Sequence, residues 1–326
     1  MKIHSASHLL SGFGVYTYAV IPQEGSLLAS FPHYDLSRRT AAERRVIMTI
    51  KIGTRRSPLA MRQAQLVRLE LQRCFPRESF ELVPVVTEGD IDRTSELKSF
   101  GGRGIFIKEL EKELLSGGID MAVHSAKDMP TDLPDGLKIG AALRRGAHED
   151  VLVMRSGGGA VNIIGTGSPR RAAQILKMYP KAQIKPIRGN IETRLNALKN
   201  GSYDAVIMAK AAIERLEICD TEIKVVVLDD FVSAAGQGII AVEVKCGGMD
   251  GFTEAINDSD TMTALTAERE FLRASGGGCH TAAGAYARVK KGVITMETMT
   301  EKDGKLIFKS GEGSDPVELG RRLANE

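Results

Sequence analysis

One segment of the sequence brings together side chains that could move a proton or stabilise a cation. Between His124 and Asp128 lie an imidazole, a hydroxyl, an ammonium and a carboxylate, and Pro130 follows. The apolar residues 119–123 precede it, which is typical of a strand that ends in a loop. A carboxylate beside an ammonium there suits acid–base catalysis or the stabilisation of positive charge. The alternative is a solvated surface pair of Lys127 and Asp128.

A second reactive group is Cys279, which follows three glycines in the segment 275–280. Glycines allow close approach of a partner, so a thiol at this position is accessible to a bulky group. The alternative is an inert, packed cysteine. The other cysteines are Cys74, Cys219 and Cys246, and none shows CxxC spacing, which argues against a zinc site and a disulfide framework.

Basic residues recur where predicted strands meet predicted helices. Thr166 and Ser168 precede Arg170 and Arg171 at the start of a helix, where main-chain N–H groups, hydroxyls and guanidinium groups favour a carboxylate ligand. Two arginines at the start of a helix are disfavoured by the helix dipole, so a purely stabilising role is less expected for Arg170 and Arg171. The same kind of junction carries Arg55, Arg188, Arg194 and Arg215. Open α/β sheets bind ligands beyond the carboxyl ends of their strands, although a single arginine is more often solvated or ion-paired.

A glycine-rich loop at residues 101–104 adds two further cations. It contains Arg103 and leads into a predicted helix whose first turn carries Lys108, so it could bind an anion. The loop lacks the GK[ST] and GxGxxG patterns, and it is therefore no nucleotide fingerprint.

Composition limits the class of protein. The chain has 326 residues, 43% of them hydrophobic and 26% charged, with a net charge of +3. This length allows two or three domains, and the near balance of charge makes nucleic acid an unexpected partner. Clustered cations instead favour an anionic small molecule. Apolar runs fall short of the roughly 18 residues of a membrane span, and the cysteine pattern suggests the cytoplasm.

The patterns predict two α/β lobes, like those of periplasmic binding proteins, with a cleft between them and a small C-terminal α+β domain. Strands are predicted at residues 50–54, 80–87, 119–123, 162–165, 184–187, 205–208, 225–228 and 239–244. The chain is predicted to cross between the two lobes near residues 144–150 and 234–238. The first lobe is therefore predicted to be residues 49–146 with 238–257, and the second to be residues 147–237. Residues 258–326 form the third domain, with antiparallel strands near 282–289, 293–300 and 306–310.

The first 48 residues show no sustained helix or strand period. They are predicted to be poorly structured, either as a targeting segment or as sequence ahead of a true start at Met48. The second interpretation is preferred, because acidic residues are more frequent here than in transit peptides.

The chain from residue 50 onward resembles the porphobilinogen deaminase (hydroxymethylbilane synthase) family. The matching stretches are Ile52-Gly53-Thr54-Arg55 with Ser57-Pro58-Leu59-Ala60, residues 101–111, residues 124–130, residues 165–171, Arg188-Gly189-Asn190 with Thr193-Arg194, Gly236-Gln237-Gly238, and Ala267-Glu268-Arg269 leading to Gly277-Gly278-Cys279. Only the first 48 residues have no counterpart.

The resemblance implies a specific chemistry. In this family a loop cysteine, which matches Cys279, forms a thioether to a dipyrromethane cofactor that the enzyme builds from its own substrate. Four porphobilinogen units are joined head to tail onto this primer with loss of ammonia, and water releases hydroxymethylbilane. The catalytic aspartate matches Asp128, which would stabilise pyrrole N–H groups and the developing cation.

The resemblance also implies ligands for the acetate and propionate groups. Cofactor contacts are expected from Lys127, Asp128, Thr166, Ser168, Arg170, Arg171, Arg188 and Gly189, and Lys127 is expected to share in catalysis with Asp128. Substrate contacts are expected from Arg55, Ser57, Arg103, Lys108, Arg188, Arg194 and Arg215. Arginine suits this task because it pairs bidentately and stays charged. The expected protein is a cytoplasmic monomer that binds neither nucleic acid, membrane nor metal.

Four positions depart from the family pattern. His280 follows the cofactor cysteine, Ala282 and Ser233 stand where proline is frequent, and Arg103 stands where lysine is frequent. These departures put the rigidity of the loops in doubt.

Two other functions compete with this one. One is a two-lobed anion-binding protein, which would need neither Cys279 nor Asp128. The other is a cysteine acyl- or alkyltransferase with His280 or His124 as base.

Overall fold

The computed structural model describes residues 48–85, 105–276 and 281–326, with the backbone alone at residues 105 and 106. Three predicted site positions, Arg103, Cys279 and His280, lie outside the described residues, as do residues 1–47 of the predicted extension.

The first sheet carries the segment from His124 to Asp128. Its strands are β1 Thr49–Arg55, β2 Ser79–Val85, β3 Met121–Ser125, β4 Leu137–Ala142 and β10 Ile240–Lys245, in the order β2-β1-β3-β10-β4. Helices α1 Pro58–Cys74, α2 Ile105–Ser116 and α6 Asp250–Ile256 belong to the same part of the chain. Apolar residues of β1, α1 and β10 form its core, among them Ile52, Leu71 and Val242.

The second sheet repeats the layout of the first. Its strands are β5 Asp150–Arg155, β6 Ile163–Gly165, β7 Gln183–Lys185, β8 Ala205–Ala209 and β9 Ile223–Leu228, in the order β7-β6-β8-β5-β9. Its helices are α3 Pro169–Met178, α4 Ile191–Lys199 and α5 Lys210–Arg215. In each sheet the first three strands in this order are parallel, and the fourth is antiparallel to both of its neighbours.

This repeated layout explains why basic residues recur at similar junctions. The carboxyl ends of β1 and β3 in one sheet correspond to those of β6 and β8 in the other. The antiparallel strands β5 and β10 begin where the chain passes from one sheet to the other, after residues 143–149 and 229–239.

The C-terminal part is a three-stranded antiparallel sheet with two helices. It comprises α7 Ser259–Ala274, β11 Gly284–Lys290, β12 Val293–Lys302, β13 Lys305–Gly313 and α8 Pro316–Asn325. Both hairpins turn through a residue with positive φ followed by glycine, Lys291-Gly292 and Asp303-Gly304, which matches the twist of paired strands. The two helices pack on one face of the sheet around Phe271 and Leu323. The predicted antiparallel arrangement is confirmed.

The predicted fold class is confirmed, with shifts at the ends of elements and with two strands, β4 and β5, that were not predicted. The strand predicted at residues 119–123 lies instead at Met121–Ser125, because Ile119 closes the turn after α2, where its N–H donates to the carbonyl of Glu113. In the described ranges, no helix combines the length and apolar character needed to cross a membrane.

Candidate active site

The segment from Ser125 to Asp128 is anchored to both the first sheet and α1. After β3, residues 126–128 form a 3-10 turn in which the Ala126 N–H donates to the carbonyl of Ile239 at 3.0 Å. Ser125 and the Gln63 side chain exchange hydrogen bonds, with Gln63 Nε2 lying 2.8 Å from Ser125 Oγ. Lys127 and Asp128 are half-buried. The turn therefore presents both side chains from a fixed backbone.

Two glycines allow residues 229–239, in which the chain returns from the second sheet to the first, to pack closely against their neighbours. Gly236 has φ +73°, and a Cβ added there would lie 2.9 Å from the Lys127 nitrogen. Gly238 has φ +85°, and its added Cβ would lie 2.6 Å from the carbonyl oxygen of Ala147. Any other residue would strain the backbone and separate these segments. The predicted crossing at residues 234–238 is thus packed tightly, with Gly236 against the turn and Gly238 against Gly146 and Ala147.

A narrow cleft lies between the carboxyl ends of the two sheets. It is lined by Leu59, Gln63, Ser125, Lys127, Ala209, Ala211, Ala212, Arg215, Gly236, Gly238 and Ile239. These lining residues include two cations, Lys127 and Arg215, and no acidic side chain. Small side chains form much of its wall, and its two cations favour an anionic group.

Arg215 is fixed at the edge of this cleft. Its Nη2 donates to the carbonyl of Gly238 at 2.6 Å. Burial lowers the pKa of the guanidinium below its ordinary value, but an arginine starts so far above neutrality that it keeps its charge. The structure thereby brings together Lys127 and Arg215, which the sequence predicted as separate site residues.

Arg170 and Arg171 form a buried cluster with an aspartate that the sequence analysis missed. Arg170 Nη1 donates to Asp150 Oδ2 at 2.6 Å, and Arg171 Nε donates to Asp150 Oδ1 at 2.9 Å. Asp150 is 0% exposed, whereas the two arginines are 4% and 7% exposed. Burial alone would raise the pKa of Asp150, but Arg170 and Arg171 outweigh it, so the pKa lies well below its ordinary value.

The cluster also corrects the argument about the helix dipole. The expectation that paired arginines are not stabilising overlooked Asp150, which neutralises one of the two charges and fixes both guanidinium groups. Arg170, Arg171 and Asp150 together carry one net positive charge at the start of α3.

The remaining predicted residues lie at the junctions without forming one group. Asn190 caps α4, and Arg194 Nε donates to the carbonyl of Gly189 at 2.9 Å, which ties the arginine to its own loop. Ser57 caps α1 by accepting from the Ala60 N–H at 3.3 Å. Arg188 and Lys108 are exposed, and Arg55 is half-buried at the end of β1.

Ser168 does not cap α3 through its side chain. It occupies the N-cap position without a side-chain hydrogen bond, and its N–H instead donates to Thr166 Oγ1 at 3.2 Å. Thr166 itself is buried. The hydroxyl of Thr166 therefore shapes the turn, and Ser168 is half-buried beside it.

A buried ion pair that the sequence analysis missed joins three parts of the chain. Arg145 Nη1 donates to Glu268 Oε1 at 2.5 Å, and its Nε donates to the carbonyl of Gln237 at 2.9 Å. Glu268 is 0% exposed and also accepts from the N–H groups of Gly236 and Ala287, each at 2.6 Å. The signal for this ion pair in the sequence was an acidic residue, Glu268, on the buried face of α7.

His124 lies away from the cleft lining, within the first lobe. It is buried, and its Nε2 lies 2.9 Å from Glu243 Oε2 on β10. Nearby, burial raises the pKa of Glu111, and Glu243 adds to the effect. Because His124 is buried and is not among the residues that line the cleft, the transferase alternative gains no support from it.

The two departures that lie in described residues are both buried. Ser233 is 0% exposed and Ala282 is 6% exposed. The carbonyl of Ser233 accepts from the Ala285 N–H at 2.9 Å, so the backbone connection to β11 is made without proline.

Comparison with known proteins gives one family. A family model described as "Porphobilinogen deaminase, dipyromethane cofactor binding domain" matches residues 50–250, and one described as "Porphobilinogen deaminase, C-terminal domain" matches residues 262–326. The porphobilinogen deaminase of Geobacillus kaustophilus is 42% identical over 84% of this chain and 92% of its own length. Those of Syntrophobacter fumaroxidans and Brevibacillus brevis are 38% and 41% identical, over 85% and 84% of this chain and 93% and 92% of their own lengths.

Proposed function

The chain belongs to the porphobilinogen deaminase family, and from this premise we propose how its side chains divide the work. It is a transferase of tetrapyrrole biosynthesis with a dipyrromethane cofactor, and porphobilinogen is the substrate of this family. When bound through Cys279, the cofactor supplies the primer to which four porphobilinogen units are added head to tail, with loss of ammonia, before water releases hydroxymethylbilane.

The cations in and near the cleft suit a group that carries several carboxylates. Its lining offers the ammonium of Lys127 and the guanidinium of Arg215, and the positively charged cluster of Arg170, Arg171 and Asp150 lies in the second lobe. This donor set matches acetate and propionate groups on pyrroles.

Asp128 is proposed as the catalytic carboxylate. It accepts hydrogen bonds from pyrrole N–H groups of the substrate and stabilises the positive charge that develops on the ring nitrogen as the new bond forms. It also passes protons between the reacting carbon and the leaving ammonia. The observation that carries this proposal is the fixed 3-10 turn, because the neighbouring Lys127 lines the cleft.

The binding residues are proposed to form two groups. Cofactor carboxylates contact Lys127, Thr166, Ser168, Arg170, Arg171, Arg188 and Gly189, with Lys127 assisting Asp128. Substrate carboxylates contact Arg55, Ser57, Arg103, Lys108, Arg188, Arg194 and Arg215. Burial supports this division for Arg170 and Arg171, which Asp150 holds, and for Lys108, which is exposed and can follow a growing chain; the exposed Arg188 belongs to both groups.

We further propose a monomer in the cytoplasm that does not bind nucleic acid, with residues 49–146 and 238–257, 147–237, and 258–326 as its three domains. The three sheets support these boundaries. In the part of the chain that the structure describes, Cys74, Cys219 and Cys246 are free, which fits a reducing compartment.

Intact-mass measurement tests the assignment of Cys279. Protein purified from cells that make porphobilinogen is expected to be heavier than its sequence by two pyrrole units, and Cys279→Ser is expected to have its unmodified mass. An unmodified wild-type mass would count against cofactor attachment. The same addition on Cys279→Ser would place the thioether elsewhere.

A further inference from the structure

The side chain of Gln237 joins Lys127 to the buried cluster of Arg170, Arg171 and Asp150. Its Oε1 accepts from Lys127 Nζ at 3.1 Å. Its Nε2 donates to Asp150 Oδ1 at 3.0 Å and to the carbonyl of His148 at 2.7 Å. Gln237 is 0% exposed, and Lys127 is half-buried.

An amide matches these two partners, because it has both an acceptor and a donor. A lysine ammonium has donors alone, and a carboxylate has acceptors alone, so the amide must turn its oxygen to Lys127 and its nitrogen to Asp150. Glutamate would place two carboxylates against each other. Methionine would keep the volume of the side chain and lose every hydrogen bond.

The backbone of Gln237 is fixed as firmly as its amide. Its N–H donates to the carbonyl of Ala234 at 2.9 Å, and its carbonyl accepts from Arg145 Nε at 2.9 Å. The glycines on either side have φ +73° and φ +85° and leave no room for a Cβ. The residue lies in the segment that returns the chain from the second sheet to the first.

We propose that Gln237 is a positioning residue for the deaminase reaction. Its amide sets the place of the Lys127 ammonium in the cleft and its spacing from the cluster of Arg170, Arg171 and Asp150. The positive groups of the two lobes then meet carboxylates at a fixed separation. This inference rests on the proposed function, because it acts through Lys127.

Loss of the amide has a specific expected effect on catalysis. In Gln237→Met the Lys127 ammonium loses a buried partner and shifts within the cleft. Misplacement by about 1 Å can reduce turnover roughly 100-fold, so kcat is expected to fall by about that factor while KM for porphobilinogen changes little. A residue that serves folding alone would lower the yield of folded enzyme and leave kcat per folded, cofactor-loaded molecule unchanged.

A double-mutant cycle with Lys127 separates positioning from general stability. The variants are Gln237→Met, Lys127→Met and the double variant, with kcat measured per cofactor-loaded molecule as counted by intact mass. Because Gln237 acts through Lys127, Gln237→Met is expected to lower kcat in the wild type and to have almost no further effect in Lys127→Met.

Gln174 supplies the matched control. It is also a buried glutamine, 3% exposed, and its amide bonds to the backbone of Val232, at 3.1 Å through Nε2 and 2.9 Å through Oε1. Gln174→Met is expected to lower the thermal midpoint as Gln237→Met does, and its effect on kcat, whatever its size, is expected to add to that of Lys127→Met.

The outcomes distinguish a failure of the proposed role of Lys127 from a failure of positioning by Gln237. If Lys127→Met keeps near-wild-type turnover, the proposed role of Lys127 is wrong, and the inference built on it falls too. If Lys127→Met is impaired and Gln237→Met lowers kcat by the same factor in both backgrounds, the role of Lys127 stands and positioning by Gln237 is refuted.

Discussion

Replacing Glu268 by glutamine tests the buried ion pair at which three parts of the chain meet. Glu268 is 0% exposed, and the side chain of Arg145 is only 12% exposed. The two carboxylate oxygens accept from Arg145 at 2.5 Å and 3.3 Å, and from two backbone N–H groups at 2.6 Å. A glutamine keeps the volume, but its NH2 group must face a donor, and Arg145 loses its counter-charge.

The size of the effect follows from burial. Removing one partner of a buried ion pair costs about 3–5 kcal/mol of the free energy of unfolding. Glu268→Gln keeps one acceptor oxygen, so about 3 kcal/mol is expected. Arg145→Met leaves the carboxylate with only backbone donors and is expected to cost a similar amount. The double variant no longer buries a lone charge, so its loss is expected to be smaller than the sum by about 1–3 kcal/mol.

Urea unfolding followed by far-UV circular dichroism measures these losses, since the chain contains no tryptophan. A lower midpoint at unchanged slope reports stability alone. The exposed pair of Arg62 and Glu217, whose side chains are 40% and 74% exposed, is the control, and Glu217→Gln is expected to cost less than about 1 kcal/mol. A loss for Glu268→Gln as small as the control, or a double variant that equals the sum, would refute the reasoning.

Three further predictions concern the residues around the cleft. His148 stacks on Tyr286 with ring centroids 3.6 Å apart, and burial lowers its pKa, so the unfolded chain binds the proton first as pH falls below 6.5. The free energy of unfolding should therefore decrease below that pH. His148→Gln should remove part of this decrease. If the variant and the wild type show the same pH dependence, the role of His148 is contradicted. Gly236→Ala should cost about 1–3 kcal/mol of the free energy of unfolding in urea, because Gly236 has a positive φ and an added Cβ would lie 2.9 Å from the Lys127 nitrogen. Gly201→Ala should cost less, because Gly201 has φ +82° but open space around it. Equal losses would contradict the packing argument. Arg215→Met should raise KM for porphobilinogen by about 10–100-fold in steady-state kinetics, as expected for one lost charge-assisted bond to a carboxylate, and an unchanged KM would remove Arg215 from the substrate site.

Local signals in the sequence predicted the local structure well. Ser57-Pro58 and Asn190 are typical of helix starts, and helices begin there in the structure, because capping depends on residues within one turn. The three C-terminal strands follow from turn residues in the same way. Such features need no knowledge of the rest of the chain.

The contacts that the sequence could not predict are distant along the chain. Asp150 meets Arg170 and Arg171 because β5 lies beside the start of α3, and Gln237 reaches Lys127 from 110 residues away. The antiparallel insertions of β5 between β8 and β9 and of β10 between β3 and β4 place these residues. Residue types alone indicated a cationic cleft, whereas the carboxylate and amide that organise it required the folded chain.

The most direct test of the central claim is the turnover of Asp128→Asn in enzyme that carries its cofactor. The substitution keeps the shape of the side chain and removes the charge that stabilises the substrate cation. We expect a folded protein whose intact mass includes the two pyrrole units and whose kcat is lower by about 10²–10⁴-fold. Near-wild-type kcat in the cofactor-loaded variant would contradict the assignment of Asp128 as the catalytic carboxylate.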